Sequence, residues 1–372
     1  ARRILSRERR LVEDFAEDRR KELEQFNVVQ GEATFTSDHT LAVNGDEITA
    51  DRFIVATGSR IVVPPLKGLD DCGYIIPETA LARPFSFKSL IVIGAGPVGC
   101  EFSQYFARLG VKVTLLQDAP HILRAEDEDV ARAVCEGLHE DGIEIVTGTR
   151  FRGATQCDGG KRVTVQTNEG ERDFEADEIL CTVDRRPTFE GLELRRAGVR
   201  VNHGIEVDEY LQSSNPRIYA AGDAIGRRML VHAAVRYGEI AAENALISKS
   251  VAADFDMLDA HSIYTDPEVA VVGLSERSAR GRGINFRAAS YQFADHGRAM
   301  TEDALIGFVK ILALEDGTIA GITIVGKEAS ELAHEALTLL YFKANVRDVV
   351  RIPHLHPTLA EIITYPAAEL CG

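Results

Sequence analysis

The stretch that decides the fold is SLIVIGAGPVGCE at residues 89–101, which leads through a helix-like segment into GVKVTLLQD at residues 110–118. An apolar strand over 90–93, three closely spaced glycines, a helix over 98–109 and a second apolar strand over 111–116 follow one another. This order is the context that a βαβ dinucleotide-binding unit requires, whereas the glycine spacing alone is weak evidence.

The three glycines have separate expected roles. Gly94 permits the tight turn after the strand, Gly96 lets a pyrophosphate approach the backbone, and Gly99 lets the helix pack closely on the strand. The phosphates of the ligand would then meet unpaired N–H groups at the positive end of the helix. The sequence therefore predicts a dinucleotide at this turn.

Composition narrows the class of protein. The 372 residues carry a formal net charge of -16, which argues against nucleic acid because neutralising phosphates takes clustered Lys and Arg. No apolar run reaches the roughly 18 residues of a membrane helix, and the first ten residues lack the apolar core of a signal peptide. No cysteine spacing indicates a zinc site or a disulfide framework. We therefore expect a cytoplasmic protein in a reducing compartment, without metal, nucleic acid or membrane partners.

Hydrophobic periodicity predicts the remaining elements. Strands are expected at 27–29, 33–35, 40–43, 51–56, 143–146, 162–167 and 178–183, and a hairpin at 308–314 with 318–325. Helices are expected at 6–26, 128–142 and 232–246 and within 329–345. In the first helix the candidate buried side chains are Leu11, Val12, Phe15, Leu23 and Phe26. The α+β pattern after about residue 256 lacks a further GxGxxG and predicts a separate region.

Four separated motifs occur in a fixed order: ATG at 56–58, the glycine turn with Glu101, AGD at 221–223 and HPTLAE at 356–361. Over essentially the whole chain this order resembles the FAD-dependent pyridine nucleotide–disulfide oxidoreductase family, which includes dihydrolipoamide dehydrogenase, mercuric reductase and soluble transhydrogenase. The resemblance implies an α/β fold with Rossmann-like nucleotide-binding domains and a C-terminal α+β dimerisation domain. It also implies FAD and NAD(P) as cofactors.

The resemblance implies four segments. Residues 1–85 would be the remainder of an FAD-binding domain, 86–184 the NAD(P)-binding domain, 185–255 the central part of the FAD-binding domain and 256–372 the dimerisation domain. The FAD-binding GxGxxG and the Cys-x-x-x-x-Cys redox pair of the family do not occur in the 372 residues. We therefore expect the sequence to be part of a longer polypeptide.

Three short segments are candidate FAD contacts by this resemblance. Asp223 after Gly222 would bind the ribityl chain, and the backbone at Thr57-Gly58 would lie near the flavin. The helix that begins at His232-Ala233 would direct its N–H groups at the flavin pyrimidine, where a positive helix end stabilises the charge of reduced flavin.

Other residues are candidates for contact with the nicotinamide nucleotide. Glu101 pairs in the family with a lysine beside flavin N5, although a carboxylate near a helix N-terminus is also favourable by itself. NAD-preferring members place a glutamate at the position of Gln117. Asp118 would repel a 2′-phosphate and Arg124 would attract one, so that NAD is favoured and NADP stays open. Asp184 replaces the glycine of the family's Gly-Arg-x-Pro segment and adds bulk and charge.

His356 and Glu361 match the acid–base pair of the family. A histidine titrates near neutral pH and exchanges a proton with a thiol, while a carboxylate on its other nitrogen fixes the tautomer. In relatives the pair serves the disulfide of the other subunit, which implies a homodimer. The neighbouring His354 is expected to be a structural or surface histidine. The segment 295–298 is expected to be a solvated polar loop, with contact to the substrate as the alternative.

The leading hypothesis is a flavoenzyme that transfers hydride between NAD(P)(H) and a disulfide, dithiol or related acceptor, like dihydrolipoamide dehydrogenase. A soluble NAD(P) transhydrogenase is the alternative if the full sequence lacks a Cys-x-x-x-x-Cys pair. A non-catalytic dimeric NAD-binding scaffold without flavin is a third possibility. The visible spectrum of the purified protein separates the scaffold, which is colourless, from the enzymes. Cys371 is expected to be an exposed thiol without an assigned role.

Overall fold

The computed structural model describes residues 2–81 and 85–372, without the side chain of Arg2. These residues form two compact units. One comprises the chain up to Val62 together with Asp184–Asp259, and the other comprises Val63–Leu81, Phe85–Val183 and Ala260–Gly372. The second unit therefore contains both the predicted dinucleotide turn and the C-terminal region. The division into four segments at residues 85, 184 and 255 stays a prediction.

Helices and strands alternate along the described ranges. The α-helices are α1 Arg2–Leu23, α2 Leu69–Cys72, α3 Pro77–Ala80, α4 Pro97–Arg108, α5 Glu128–Glu140, α6 Val231–Ile247, α7 Phe255–Leu258, α8 Glu276–Gly281, α9 Gly297–Thr301, α10 Ala329–Tyr341, α11 Val346–Arg351 and α12 Thr364–Cys371. Short 3₁₀ helices occupy Gly222–Ile225, Phe293–Asp295 and Ala360–Ile363. The strands are β1 Ala33–Phe35, β2 Thr40–Val43, β3 Asp46–Thr49, β4 Phe53–Val55, β5 Ser59–Val62, β6 Ser89–Ile93, β7 Lys112–Leu116, β8 Glu144–Val146, β9 Arg150–Cys157, β10 Gly160–Thr167, β11 Gly170–Ala176, β12 Glu178–Cys181, β13 Asp184–Pro187, β14 Ile218–Ala220, β15 His261–Ile263, β16 Glu268–Gly273, β17 Arg287–Gln292, β18 Phe308–Ala313 and β19 Ile319–Gly326.

The predicted dinucleotide unit is a parallel sheet with the strand order β12-β6-β7-β8. Leu90, Ile91, Val92 and Ile93 of β6 are all at most 1% exposed, as a central strand covered on both faces must be. Helix α4 connects β6 to β7, and its start follows directly after the glycine turn. The α/β prediction is confirmed for this region.

A second sheet of the same unit was predicted only in part. It is antiparallel, with the order β11-β10-β9, and only β10 coincides with an expected strand. The two outer strands carry mostly polar, exposed or half-buried side chains. Their pattern lacks the continuous apolar run from which we predicted strands, and their pairing with β10 decides their conformation.

The C-terminal region forms a five-stranded antiparallel sheet in the order β15-β16-β19-β18-β17. Every residue of β18 is buried, and so is nearly every residue of β19. Helix α10 packs on β16 and β19, and α12 packs on β17 and β18. The hairpin predicted at 308–325 and the helix predicted within 329–345 are confirmed. The HPTLAE segment lies in the same region, between α11 and α12.

In the first unit, β14 pairs in parallel with β4, and β13 pairs antiparallel with β5. Helix α6 packs on β14 and β4, and its Tyr237 is 1% exposed. The strand predicted at 27–29 is wrong, because these residues adopt no regular structure. Val28 and Val29 are 55% and 52% exposed, so burial does not fix their conformation.

The first helix is confirmed over Arg2–Leu23, but its predicted buried face is wrong. Leu11, Val12, Phe15, Leu23 and Phe26 are all exposed, with Phe15 at 68%. Instead Leu5, at 3% exposed, is the buried residue of this segment. An amphipathic pattern indicates which side of a helix is apolar. That side becomes buried only if another part of the structure packs against it.

A buried lysine joins two parts of the second unit. Lys310 of β18 is 3% exposed, and its Nζ lies 2.7 Å from Asp129, 3.0 Å from Asp127 and 3.1 Å from Glu276. Burial by itself lowers the pKa of the ammonium group, but the hydrogen bonds to the two aspartates outweigh it, and the pKa is raised. The cluster therefore holds α5, α8 and β18 together through a charged lysine.

We expect Lys310→Met to lower the free energy of unfolding by about 3 kcal/mol, because it removes the buried cation that Asp127 and Asp129 bind. The measurement is the midpoint of a urea titration of the whole chain. Lys327→Met is the matched control, since Lys327 is 43% exposed and pairs only at the surface with Glu302, and it should cost less than about 1 kcal/mol. Equal midpoints for the two variants would contradict the assignment.

Candidate functional site

Close packing explains two of the three glycines in the dinucleotide turn. Gly94 adopts a φ of +102°, and a Cβ there would lie 3.0 Å from the carbonyl oxygen of Thr182. A Cβ on Gly99 would lie 1.9 Å from the carbonyl oxygen of Gly94. Any side chain at Gly99 would therefore drive α4 away from the end of β6.

Gly96 differs from its neighbours, because a Cβ there would meet nothing within 4 Å. It is the N-cap of α4, no side chain caps this helix end, and Pro97 occupies the first turn. Proline lacks the N–H group that would stay unpaired at that position anyway. The helix thus presents a positive end next to open space, the arrangement to which phosphates bind.

The end of β7 presents one exposed carboxylate. Gln117 is 6% exposed, and its Oε1 accepts the backbone N–H of Asp118 at 3.1 Å. The hydroxyl of Thr149 donates to the backbone oxygen of Gln117 at 2.9 Å. Asp118 itself and the nearby Arg124 are exposed. Gln117 therefore has a structural bond within the chain, and Asp118 is the freely accessible acid.

Glu101 on α4 has a partner that the sequence did not indicate. Its Oε1 accepts the backbone N–H of Tyr264 at 2.8 Å. Burial raises the pKa of this half-buried carboxyl group, and the hydrogen bond from Tyr264 offsets the rise only in part. Glu101 is thus positioned by the segment that follows β15, which no local motif reveals.

Three segments that the sequence analysis singled out lie together in the first unit. Gly222, with a φ of +65°, brings its backbone so near α6 that a Cβ would lie 3.3 Å from Cβ of Ala234. Asp223 accepts a hydrogen bond from the hydroxyl of Ser59 at 2.5 Å. Gly58, adjacent to Ser59, faces open space and has a φ of +71°. The sequence analysis missed Ser59, although it directly follows the ATG motif.

Helix α6 begins at Val231 without a side-chain cap. Val231 is 83% exposed and Ala233 is fully buried, while His232 is exposed. Ala233 can therefore offer a ligand only its backbone, whereas His232 can also offer its ring. The arrangement leaves the first N–H groups of this 17-residue helix available to an acceptor.

Asp184 and Cys371 lie where side chains are accessible. Asp184 begins β13 and is exposed, and Cys371 is exposed at the end of α12. All six cysteines are free. Burial is the main cause that raises the pKa of Cys72, Cys100 and Cys135, and it raises the pKa of Cys181 to about 12. These four thiols lack the activated thiolate of a redox pair.

His356 and Glu361 form the predicted pair. His356 Nδ1 lies 3.0 Å from both carboxylate oxygens of Glu361, and Thr358 N–H donates to the same carboxylate at 3.3 Å. The side chain of His356 is 80% exposed and that of Glu361 only 14%. Burial would raise the pKa of Glu361, but the hydrogen bonds from His356 and Thr358 outweigh it, and the pKa is lowered. An ionised acid therefore orients an accessible imidazole.

Two neighbouring histidines have different surroundings. His354 is buried at its side chain and its Nε2 lies 2.8 Å from Glu335, in agreement with a structural role. His296 is 1% exposed, so the expectation of a solvated loop at 295–298 is wrong for this residue. The ring of Tyr365 meets it edge to face, and Tyr291 stacks on Tyr365, which the local sequence did not indicate.

No helix in residues 2–81 and 85–372 has the length and apolarity needed to span a bilayer. Within the same ranges, no group of three or more His, Cys, Asp or Glu residues has an arrangement that could hold a metal ion.

Comparison with known proteins gives concordant matches. Residues 2–238 match the family described as pyridine nucleotide-disulphide oxidoreductase, and residues 260–367 match the dimerisation domain of that family. Dihydrolipoyl dehydrogenase from Bacillus subtilis is 35% identical over 350 residues, which are 91% of this chain and 74% of the relative. Dihydrolipoyl dehydrogenase from Geobacillus stearothermophilus is 37% identical over 357 residues, which are 93% and 74% of the two chains.

Solved structures agree in fold. LpdA from Mycobacterium tuberculosis has a TM-score of 0.88 at 26% identity and covers 99% of this chain and 83% of its own. The flavoprotein disulfide reductase RclA from Escherichia coli has a TM-score of 0.87 at 23% identity, with 98% and 85% covered. Together with the glycine turn and the His356–Glu361 pair, these matches show that the chain belongs to the FAD- and NAD(P)-dependent pyridine nucleotide–disulfide oxidoreductase family and is an enzyme of that class.

Proposed function

We propose that this chain transfers reducing equivalents between a nicotinamide nucleotide and a dihydrolipoyl-type dithiol, with His356 as the acid–base group. The observation that carries the proposal is the accessible imidazole of His356 held at 3.0 Å by an ionised Glu361. The names of the relatives from Bacillus subtilis and Geobacillus stearothermophilus support the choice of dithiol.

The geometry of the pair suits proton exchange with a thiol. Because the carboxylate accepts from Nδ1, that nitrogen carries the hydrogen and Nε2 has the free lone pair. In the direction of dithiol oxidation, two thiols lose two electrons and two protons, NAD⁺ takes the electron pair with one proton as hydride, and one proton is left. His356 accepts that proton at Nε2, and Glu361 stabilises the resulting cation.

The nucleotide is placed by this proposal at the glycine turn. Its pyrophosphate would approach Gly96, where a Cβ would meet nothing within 4 Å, and Gly94 and Gly99 would keep α4 close behind it. Asp118 would accept hydrogen bonds from ribose hydroxyls and repel a 2′-phosphate, so that NAD is preferred over NADP. Glu101, on the same helix, would lie nearer the nicotinamide end.

The residues of the first unit fit one side of a flavin dinucleotide. Gly58 faces open space beside Ser59 and Asp223, and the uncapped start of α6 offers N–H groups to carbonyl oxygens of an isoalloxazine ring. FAD supplies, when bound, an acceptor for hydride and a donor of the electron pair for a disulfide. Thr57-Gly58 and Gly222-Asp223 would hold it, and His232-Ala233 would stabilise charge on its pyrimidine ring.

The site is proposed to be completed by a second copy of the chain. His356 belongs to the region that matches the family's dimerisation domain, and large apolar side chains in that region are solvent-exposed. Tyr341, Phe342 and Leu355 are 72%, 74% and 79% exposed, which is unusual for a surface without a partner. In the proposed homodimer, His356 of one protomer would exchange a proton with a dithiol bound at the other.

We expect Gly96→Val to fold normally and to weaken NADH binding by at least about tenfold, equal to 1.4 kcal/mol. The side chain has room in the free protein but occupies the space of the pyrophosphate. Isothermal titration with NADH, together with the melting temperature, measures both effects. Gly281→Val is the matched control, because a Cβ on Gly281 also meets nothing within 4 Å. Wild-type affinity in Gly96→Val would place the nucleotide elsewhere.

We expect His356→Ala to slow dihydrolipoamide oxidation by the FAD-loaded enzyme at least about 100-fold, because the thiol loses its proton acceptor. Reduction of the bound flavin by NADH should keep its wild-type rate in stopped-flow absorbance measurements. His354→Gln controls for local disturbance and should retain dithiol turnover. An equal loss in both half-reactions would contradict the acid–base role, and rapid NADH-to-thio-NAD⁺ transfer without dithiol activity would favour a transhydrogenase.

A further inference from the structure

A second histidine lies behind the acid–base pair. His296 follows the 3₁₀ helix Phe293–Asp295 and is the N-cap of α9. Its ring meets Tyr365 edge to face at 6.0 Å between centroids, and Tyr365 stacks at 4.1 Å on Tyr291. At 1% exposed, the imidazole of His296 is enclosed, whereas the imidazole of His356 is accessible.

The carboxylate of Glu361 lies between the two imidazoles. His356 Nδ1 is 3.0 Å from both of its oxygens, and His296 Nε2 is 3.6 Å from Oε1. That distance exceeds a formed hydrogen bond but brings the ring into electrostatic contact with the carboxylate. Contacts of this kind in a free enzyme often shorten once substrate is bound.

The surroundings of the other ring nitrogen of His296, Nδ1, indicate that packing is not the reason for a histidine at this position. Nδ1 is buried and has no hydrogen-bond partner among the residues that the structure describes, and such a group lowers stability. A phenylalanine or a methionine would fill the same space beside Tyr365 without that loss. The histidine is thus unfavourable for packing alone, and its other ring nitrogen faces the acid of the predicted catalytic pair.

The charges around His296 keep it neutral. Burial, the largest cause, lowers its pKa, Glu361 opposes this effect, and the nearby His356 adds to it. Tyr365 is a further titratable side chain against the ring, and Tyr291 stacks on Tyr365. Asp295 and Arg298 flank it in the chain, and Arg298 pairs with Glu302. With its single hydrogen on Nε2, a neutral ring directs the positive end of an N–H dipole at Glu361.

We propose that His296 is a positioning residue that shares the carboxylate of Glu361 with His356 and thereby makes protonated His356 release its proton more readily. The inference rests on the proposed acid–base role of His356. A carboxylate that also receives the dipole of a second imidazole stabilises the His356 cation less than it would alone. His296 therefore favours release of the proton from His356, which is the step that follows each deprotonation of a thiol.

The test follows the protonation of His356 directly and needs no turnover. Of the two forms of an imidazole, diethylpyrocarbonate modifies only the neutral one, so the rate of its reaction at His356, followed by peptide mass spectrometry on the whole chain, reports how readily the ring releases its proton. The variants His296→Gln and His296→Met have similar volumes, but only glutamine keeps an N–H donor. His39, paired with Asp38 at 2.6 Å in the other compact unit, is the internal control.

At a pH where His356 is mainly protonated, we expect its modification to be about threefold slower in His296→Met than in the wild type, to keep the wild-type rate in His296→Gln, and that of His39 to be unchanged in both. His296→Phe, which keeps the contact with Tyr365, should behave like the methionine variant. Equal changes of this rate in the methionine and glutamine variants, or no change in either, would overturn the proposal. Failure of His356→Ala to impair dithiol turnover would instead overturn the acid–base role, so the two failures are distinguishable.

Discussion

The close approach of α4 to the end of β6 is the constraint on which the nucleotide-binding part of this chain depends. A single Cβ at Gly99 would lie 1.9 Å from the backbone oxygen of Gly94, so the helix meets the strand at backbone contact distance. This contact directs the start of α4 at the open space beside Gly96. The same helix then carries Glu101 to its bond with Tyr264. Backbone packing thus sets the position of both the helix end proposed to bind phosphate and the acid beyond it.

The C-terminal sheet gives the second site its rigidity. Strands β18 and β19 are almost wholly buried, and the charged cluster around Lys310 ties β18 to α5 and α8. Against this platform Glu361 is largely enclosed while His356 is accessible. An ionised acid that is partly buried and fully hydrogen-bonded holds an imidazole in one orientation without removing it from solvent, which is the condition for exchanging protons with an external thiol.

Sequence reasoning succeeded where chemistry demands a local pattern. The glycine turn, the hairpin of β18 and β19 and the HPTLAE segment were all predicted, because turn geometry, apolar runs and acid–base spacing are each written in neighbouring residues. Sequence reasoning failed where the burial or conformation of a segment depends on a partner that is distant in the sequence. The apolar face of α1 is exposed although its periodicity suggested burial, and the polar strands β9 and β11 are ordered by pairing with β10.

The sequence by itself indicated the α/β class, the family, a dinucleotide at the glycine turn and the pairing of His356 with Glu361. The turn follows from residue types at short, fixed spacings, whereas the family and the pair follow from the resemblance that four ordered motifs carry. Only the tertiary structure decided that Ser59 bonds Asp223, that Tyr264 positions Glu101 and that His296 stands behind Glu361. Each of these contacts joins residues 65 to 164 positions apart in the sequence. Burial and partner choice at such separations depend on how the elements pack, and no local pattern encodes them.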